Sequence, residues 1–435
     1  MFAGFDYGTS NCSIGVVRGG GVALLPLEGD STQIPSTLYA PRPEPKGERA
    51  AADVRGIDLR AQPFEALRFG EAALREYLRQ PAEGYFVKSP KSFLGAKGLS
   101  REMRDRFVAV VGAMMTNVKR HAERHCDASI DQVVIGRPVH FQGATGLAED
   151  ARALGMLTEA ARAAGFREIA FQLEPMAAAM DYEARLDREE CILVLDIGGG
   201  TTDCSFVRVG PARRDRLDRE ADVLGHGGER LGGNDYDQWL ALRAFMPAFG
   251  FGDTLQSGLP VPNTYFVDAV SINDVNAQQR FSSTATRREL VRYVREARVP
   301  GRIARLLEVQ RTRQAQRVVR SAEQAKIALS AVDAVDVDLS WLEQGLGATV
   351  SRAELRKSSE RLLDHLAGLV GGVVRDAGTV PDVVYLTGGM AGATIVREFL
   401  WNRFADARFV DGDHFAAVTT GLTLWAQRLW GQAGA

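Results

Sequence analysis

Chemistry in this chain concentrates where acids meet glycines. Residues 193–206 read LVLDIGGGTTDCSF: Asp196 at the end of an apolar run, then Gly198, Gly199 and Gly200, then Thr201, Thr202 and a second acid, Asp203. Glycines lack a Cβ, so the backbone can approach an anion closely, and successive N–H groups form a nest for phosphate. A carboxylate at a strand end can hold Mg2+ directly or through its waters. Without a ligand the same residues would be a glycine-rich hairpin turn, but Asp-x-Gly-Gly-Gly-Thr followed by Asp203 is a specific pattern. No Gly-Lys-Thr or Gly-Lys-Ser follows, so this is not a Walker P-loop. The stretch FDYGTSNCS at 5–13 repeats the motif: Asp6-x-Gly8 falls on Asp196-x-Gly198 and, allowing a short gap, Asn11-Cys12-Ser13 falls on Asp203-Cys204-Ser205. Two such hairpins can grip a triphosphate from opposite sides. LGGNDYD at 231–237 is expected to open a helix at Tyr236, and a helix N-terminus favours anions. YLTGGMAGA at 385–393 reads as a buried strand turning through Gly388 and Gly389, and equally as any strand-to-helix turn.

These turns need strands and helices to hold them. Phe2 to Val17 reads as a strand, a turn at Gly8-Thr9-Ser10-Asn11 and a second strand, and Cys191 to Val209 repeats it. Ser100 caps a helix that runs to Cys126, with Met103, Phe107, Val110, Met114 and Val118 at helical spacing. A buried strand at Gln132–Ile135 precedes helices over 147–164, stopped by Gly165, and over 175–187, with Pro175 at its first turn. Residues 41–49 hold three prolines and read as an excursion, 211–222 as a charged excursion, and 251–285 as irregular. Helices are expected over 287–299 and 302–330, separated by Pro300-Gly301, then a strand at Val335–Leu339, a helix over 352–377, a strand at Val383–Leu386 and a last helix over about 414–430.

Composition sets the outer bounds. The chain has 435 residues, 45% hydrophobic and 25% charged, with Lys+Arg 53 against Asp+Glu 55. That balance excludes the strongly basic signature of a nucleic-acid-wrapping protein and the acidity of a disordered one. The four cysteines contain no CxxC pair, so neither a disulfide framework nor a zinc ribbon is expected. The start lacks a basic n-region and no uncharged run is long enough to span a membrane, so the expected location is the cytoplasm with no membrane partner. His121, His125 and Cys126 share a helix end with Lys119, Arg120 and Arg124, which reads as a solvated basic face rather than a metal site.

The ordered set FDYGTSN, SPKSFLG, LEPMAAAMDY, LDIGGGTTD, LGGNDYD and YLTGG resembles the nucleotide-binding domain of the seventy-kilodalton heat-shock chaperones, and most of all the short YegD-type members. They belong to the actin, hexokinase and heat-shock ATPase superfamily. The resemblance spans nearly the whole chain and implies an α/β, two-lobed fold with duplicated ribonuclease H-like cores around a nucleotide cleft. It places lobe I at 1–188, with about 37–99 inserted and a C-terminal helix at 414–435 returning to it. Lobe II is placed at 189–413, with about 236–340 as a divergent insertion. It implies ATP or ADP with Mg2+ as ligands, Asp6 and Asp196 around the metal, and Gly8, Thr9, Ser10 and Asn11 as the first phosphate turn. Lys91 would contact the transferred phosphate, Glu174 and Asp203 would place the attacking water, and Thr201 would lie beside the γ-phosphate. Gly198, Gly199, Gly200, Thr202, Gly232, Gly233, Asn234, Gly388 and Gly389 would complete the phosphate cradle. Glu323, Lys326 and Ser330 would hold the adenosine, and Pro138 would sense nucleotide state. Phosphoryl transfer needs a metal, a cation and a water-orienting group, and this set supplies them.

The departures are also informative. Ile327 and Gly392 stand where the family has the two arginines that sandwich the base, and Asn234 replaces a glutamate. Residues 238–320 do not read like the family's usual subdomain. No peptide-binding domain is expected after residue 435, so extended apolar peptides are not expected to bind. The expected function is a slowly hydrolysing, chaperone-related ATPase that acts as a nucleotide-dependent switch. The alternatives are a small-molecule kinase of the same superfamily and a nucleotide-binding scaffold with negligible turnover. Between 287 and 320 arginines far outnumber glutamates, which suits a solvated helical face or a docked protein partner better than nucleic acid.

Overall fold

The computed structural model describes residues 1–42, 59, 62–81, 83–96, 98–141, 146–411 and 416–431. The chain runs β1 (Phe2–Tyr7), β2 (Asn11–Arg18), β3 (Gly21–Leu24), β4 (Ile34–Pro35), β5 (Thr37–Pro41), β6 (Arg68–Phe69), α1 (Gly70–Arg79), β7 (Gly84–Lys88), α2 (Arg101–Cys126), β8 (Gln132–Arg137), α3 (Leu147–Ala163), β9 (Glu168–Leu173) and α4 (Glu174–Glu183). It continues β10 (Glu190–Ile197), β11 (Thr202–Val209), β12 (Val223–Glu229), α5 (Gly233–Leu240), α6 (Thr264–Val270), α7 (Val275–Ser282), α8 (Thr284–Glu296), α9 (Pro300–Thr312) and α10 (Ala315–Ala328). Then come β13 (Ala334–Asp338), β14 (Gly347–Ser351), α11 (Arg352–Ala377), β15 (Val383–Thr387), α12 (Thr394–Arg403), β16 (Arg408–Asp411) and α13 (Ala417–Trp430).

Two sheets carry one arrangement twice, in the orders β3-β2-β1-β8-β9 and β12-β11-β10-β15-β16. In the first, β1 pairs antiparallel with β2 and parallel with β8, which pairs parallel with β9. In the second, β10 pairs antiparallel with β11 and parallel with β15, which pairs parallel with β16. This is the duplicated core of the two-lobed actin, hexokinase and heat-shock ATPase fold. The register corrects the sequence alignment of the repeat. Tyr7 faces Cys12 and Ile197 faces Thr202, so the two turns are equally long and no gap is needed. Asp203 therefore stands in the place of Ser13, not of Asn11, and Thr201 takes the place of Asn11.

Each sheet buries its own apolar cluster, and a third cluster lies between them. It is built from α4 and α13, with Val134 of the first sheet and Ile192, Val194 and Tyr385 of the second. Helix α13 packs on β1, β2 and β8 and on α4, while α4 packs on β10 and β11. The crossing is close: a Cβ on Gly421 would stand 1.8 Å from the carbonyl oxygen of Ala177. Only glycine permits that approach. The third strand group, β6-β5-β7, with α1 beside it, leads the chain into the turn that carries Lys91.

Several elements differ from the sequence expectation for identifiable reasons. Helix α4 stops at Glu183 rather than at 187, where Arg185 and Leu186 N–H close a tightened turn onto the Tyr182 and Glu183 carbonyls and Arg214 Nε donates to the Glu183 carbonyl as well. The helix expected over 302–330 breaks at Arg313, which sits at φ 58. Residues 251–285 contain α6 and α7, the latter capped by Asp274 accepting from the Asn276 and Ala277 N–H groups. Helix α5 opens at Gly233, ahead of Tyr236. Strand β14, absent from the expectation, pairs with β13. The charged 211–222 excursion is largely exposed, but it is anchored at its end, where buried Arg219 donates to Glu183 and to Asp222. Beyond Arg42 the proline-rich 41–49 stretch lies outside the described residues, as do 412–415, where the last helix was expected to start. Among the described residues no helix is long and apolar enough to cross a membrane, and all four cysteines are free thiols.

Candidate functional site

The four glycine elements converge. The turn after β10 closes through Gly198 N–H donating to the Thr201 carbonyl at 3.0 Å. The 231–237 element docks on it directly: Gly233 N–H donates to the Gly198 carbonyl at 2.9 Å and Asn234 N–H to the Gly199 carbonyl at 2.8 Å. Thr202 Oγ1 donates to the Leu231 carbonyl at 2.6 Å. A Cβ on Gly232 would stand 2.5 Å from the Gly199 carbonyl carbon. Gly388, at φ +83, turns the chain out of β15, where any Cβ would stand 2.5 Å from Asp196 Oδ1, and Gly389 follows in the same turn. The N-terminal turn faces this assembly, since a Cβ on Gly199 would stand 1.8 Å from Ser10 Oγ. Within that turn, a Cβ on Gly8 would stand 2.4 Å from the Asn11 carbonyl oxygen, and Thr9 is buried. The turns of Gly8–Asn11 and Gly198–Thr201 thus oppose each other across the junction of the two sheets, with Gly200 in the second.

Around them lie Asp6 near the end of β1, Asp196 near the end of β10, Asp203 on β11, Glu174 at the start of α4, and Lys91 in the short helical turn Pro90–Phe93. Lys91 Nζ donates to Glu174 Oε1 at 2.5 Å, and both are buried. Burial opposes the charge on Lys91, but the carboxylates of Glu174, Asp6 and Asp203 outweigh it and hold its pKa above the usual lysine value. Burial and the charge of Glu174 push Asp6 up to about 7, against Lys91. Burial and Glu174 also push Asp203 up to about 7, although the Val139 N–H and Thr201 hydrogen bonds and Lys91 favour its charged form. Asp196 rises well above the carboxylate range through burial, then Glu174, Asp203 and Asp6. Val139 N–H donates to Asp203 Oδ1 at 2.7 Å, which ties the residue after Pro138 to the acid.

An oxygen-rich set in excess over one ammonium suits a hard divalent cation that carries phosphate. Among the described residues no three His, Cys, Asp or Glu side chains form a protein-only cage. Mg2+ keeps several waters and takes one or two carboxylates plus substrate phosphate, so Asp6 and Asp196 fit that role.

The residues assigned to adenosine, Glu323, Lys326 and Ser330, lie on α10 and just after it. Lys326 Nζ donates to the Gly233 carbonyl at 3.0 Å and pairs with Asp237 at 2.8 Å. Glu323 pairs with Lys88 at 3.1 Å and Arg320 at 2.9 Å. Ser330 and Ile327 are exposed on the rim. The arginines of 287–320 are largely engaged within the chain: Arg302 with Asp253, Arg305 with Glu343, Arg311 with Glu308, and Arg317 over the Trp341 ring.

Two residues escaped the sequence reading. Ser36 N–H donates to the Ser10 carbonyl at 2.7 Å and Ser36 Oγ donates to the Gly8 carbonyl at 2.7 Å. Its own carbonyl accepts from Ser89 N–H at 2.8 Å. Ser89 holds φ 56, an uncommon conformation for a non-glycine residue, directly before the Lys91 turn. Asn234 Nδ2 donates to Ser89 Oγ at 3.3 Å. Ser36 and Ser89 therefore brace the first turn, the lysine and the 231–237 element against one another. Ser36 is a lone serine without a spacing signal, and Ser89, although the first residue of SPKSFLG, is marked as a brace only by its contacts.

The family model described as Hsp70 protein matches residues 97–250, which contain Glu174, the glycine turn and the 231–237 element. The chain is similar to the chaperone protein HscA of Salmonella agona, 30% identical over 249 residues, covering 55% of this chain and 37% of that protein. It is also similar to the HscA homolog of Rickettsia bellii, 27% identical over 248 residues, covering 55% of this chain and 36% of that protein. HscA of Xenorhabdus nematophila is 28% identical over 244 residues, covering 55% and 37%. The matched part thus spans little more than a third of the length of these curated relatives. With its sheet topology doubled and its glycine turns opposed over buried acids, this chain has the fold expected of the Hsp70 family, whose model it matches over residues 97–250.

Proposed function

We propose that the chain binds ATP and ADP with Mg2+ between the Gly8–Asn11 and Gly198–Thr201 turns, hydrolyses ATP slowly, and uses the nucleotide to set the closure of its two lobes. The opposition of the two glycine turns, at the Ser10–Gly199 approach, carries this reading. The lobes are residues 1–188 with the C-terminal helix, and 189–413.

In this reading the N–H groups of both turns receive the β- and γ-phosphate oxygens. Mg2+, held at Asp6 and Asp196, would neutralise phosphate charge. Lys91 stands beside the transferred phosphate, and its pairing with Glu174 keeps it charged in a buried place. Glu174 and Asp203 position a water in line with the γ-phosphorus. The new bond joins the water oxygen to that phosphorus, and the bond to the β–γ bridging oxygen breaks. The proton of the water passes to a carboxylate, and ADP leaves with the electron pair of the broken bond. Pro138 couples the site to lobe closure through Val139 N–H on Asp203. The HscA relatives are named chaperones, which supports a chaperone-related switch here.

Calorimetric titration of Mg-ATP and Mg-ADP into the wild type, Asp6→Asn and Asp196→Asn tests the assignment, together with phosphate release. Both variants are expected to lose binding or turnover. Wild-type behaviour in both would refute the site.

A further inference from the structure

Ion pairing between the two halves of the chain leaves three arginines over. Where α1 and β7 approach α9 and α10, the acids are already matched: Glu76 with Arg79 at 2.6 Å, Glu308 with Arg311 at 2.8 Å, and Glu323 with Lys88 and Arg320. Arg42 in the first half, and Arg287 and Arg313 in the second, are exposed and form no ion pair among the described residues. Glu83 meets Arg42 through its carbonyl, which accepts from the Arg42 N–H at 2.9 Å, and not through its carboxylate.

Two anchors bring the three together. Buried Gln310 holds the second-half pair: its Oε1 accepts from Arg287 Nε at 3.0 Å, and its carbonyl accepts from Arg313 N–H at 3.4 Å. Aromatic residues hold the other side. Tyr77 Oη donates to the Arg313 carbonyl at 2.6 Å, and the Arg42 guanidinium lies 5.1 Å from the ring centroid of Tyr85 on β7. Partial burial presses Arg313 below the usual arginine value, and the charges of Arg42 and Arg287 add to it against the Tyr85 and Tyr77 phenols. Both arginines therefore lie within Coulombic reach of Arg313. None of these neighbours is an acid that would offset the gathered charge. Arg313 also ends α9 at φ 58, a left-handed position that glycine or asparagine usually fills. An arginine is strained there, and strain of this kind gathers at ligand sites.

We propose that Arg42, Arg287 and Arg313 form a site for a free phosphate oxyanion of two or more charges, orthophosphate or pyrophosphate, which bridges the two halves of the chain. The planar fork of a guanidinium matches two phosphate oxygens at once, and each such contact is charge-assisted. An anion of at least two charges offsets the repulsion among three cations, whereas a single charge leaves most of it. The site shares no residue with the proposed nucleotide cleft and does not depend on that reading.

Calorimetric titration of sodium phosphate and of pyrophosphate into the full chain, in metal-free buffer, tests this. Arg42→Ala, Arg313→Asn and Lys91→Ala are titrated beside the wild type. Asparagine tolerates the left-handed conformation at 313, so that variant removes the charge and keeps the turn. The two arginines are exposed and are changed separately, so a folding defect in one leaves the other as the test. Saturable binding is expected in the wild type and in Lys91→Ala, with acetate unable to displace it. Arg42→Ala and Arg313→Asn are each expected to weaken it by about tenfold or more, the loss of one charge-assisted contact. No binding of either anion would overturn the inference. So would binding that both arginine variants keep and Lys91→Ala loses, which would place the anion in the cleft instead.

Discussion

Lys91 and Glu174 illustrate what single residues contribute. Buried together at 2.5 Å, they hold each other in place where the γ-phosphate is proposed to lie. Lys91→Ala and Glu174→Gln should therefore lower turnover more than nucleotide affinity, by on the order of 10²–10³ for one lost transition-state contact. Single-turnover kinetics alongside calorimetry separate the two effects, and equal losses in both would move these residues to a binding role. Glu323 makes a pH prediction. Burial opposes its charge, but Lys88, Arg320 and Lys326 outweigh that and bring its carboxyl down to about 2 from the usual 4.5; Asp237 shares Lys326 with it. A depressed folded pKa contributes stability that is complete above 4.5 and is lost as pH falls toward about 2. Glu323→Gln should cost about 1–3 kcal/mol at neutral pH and flatten that acid limb, as read by urea unfolding between pH 2 and 7. At this scale the acids and glycines were legible because their spacing is the signal. The engagement of Lys326 and Glu323 was not, since it depends on Gly233, Lys88 and Asp237 arriving from distant segments.

Among the elements, α4 joins chemistry to architecture. Its first residue is Glu174, and its last, Glu183, is fully buried against Arg219. Removing one partner of a buried ion pair strands the other charge, so Arg219→Ala should destabilise by about 3–5 kcal/mol. Arg219→Ala should also lower turnover if α4 shifts. Gly421 sets the other side of the helix: Gly421→Val forces a side chain onto the Ala177 carbonyl and should destabilise by at least about 1–3 kcal/mol, seen as a lower denaturant midpoint. Elements with strong end signals were readable in the sequence. Helix α2 begins after Ser100, whose Oγ accepts from Met103 N–H, and α11 begins after the Ser351–Glu354 capping box. Those fixed by tertiary contact were not. The early end of α4 coincides with Arg214 Nε donating to the Glu183 carbonyl, and the break at Arg313 with its carbonyl accepting from Tyr77 Oη at 2.6 Å.

The molecule as a whole consists of two similar lobes that meet at opposed turns and are fastened at their rim. Lys88 with Glu323, Tyr77 with Arg313 and Ser89 with Asn234 each join the first half of the chain to the second. Lys88→Ala should loosen that rim and speed release of a fluorescent ADP analogue by about three- to tenfold, and, because Lys88 is the foremost charge favouring ionised Glu323, it should also lower stability by about 1–3 kcal/mol. The doubled topology was legible from two short motifs because both cores repeat an acid, a glycine turn and a strand. Its register was not, because the gap in the alignment disappears only when Tyr7–Cys12 and Ile197–Thr202 are seen to close equal turns. In the proposed function one nucleotide is gripped by both turns at once. Amide hydrogen exchange followed by mass spectrometry, with and without Mg-ATP, reads it directly. Slowed exchange is expected in the segments carrying Gly8–Asn11 and Gly198–Thr201 together, with the 231–237 element alongside. Protection of one turn alone, or of neither while ATP is bound elsewhere, would contradict it.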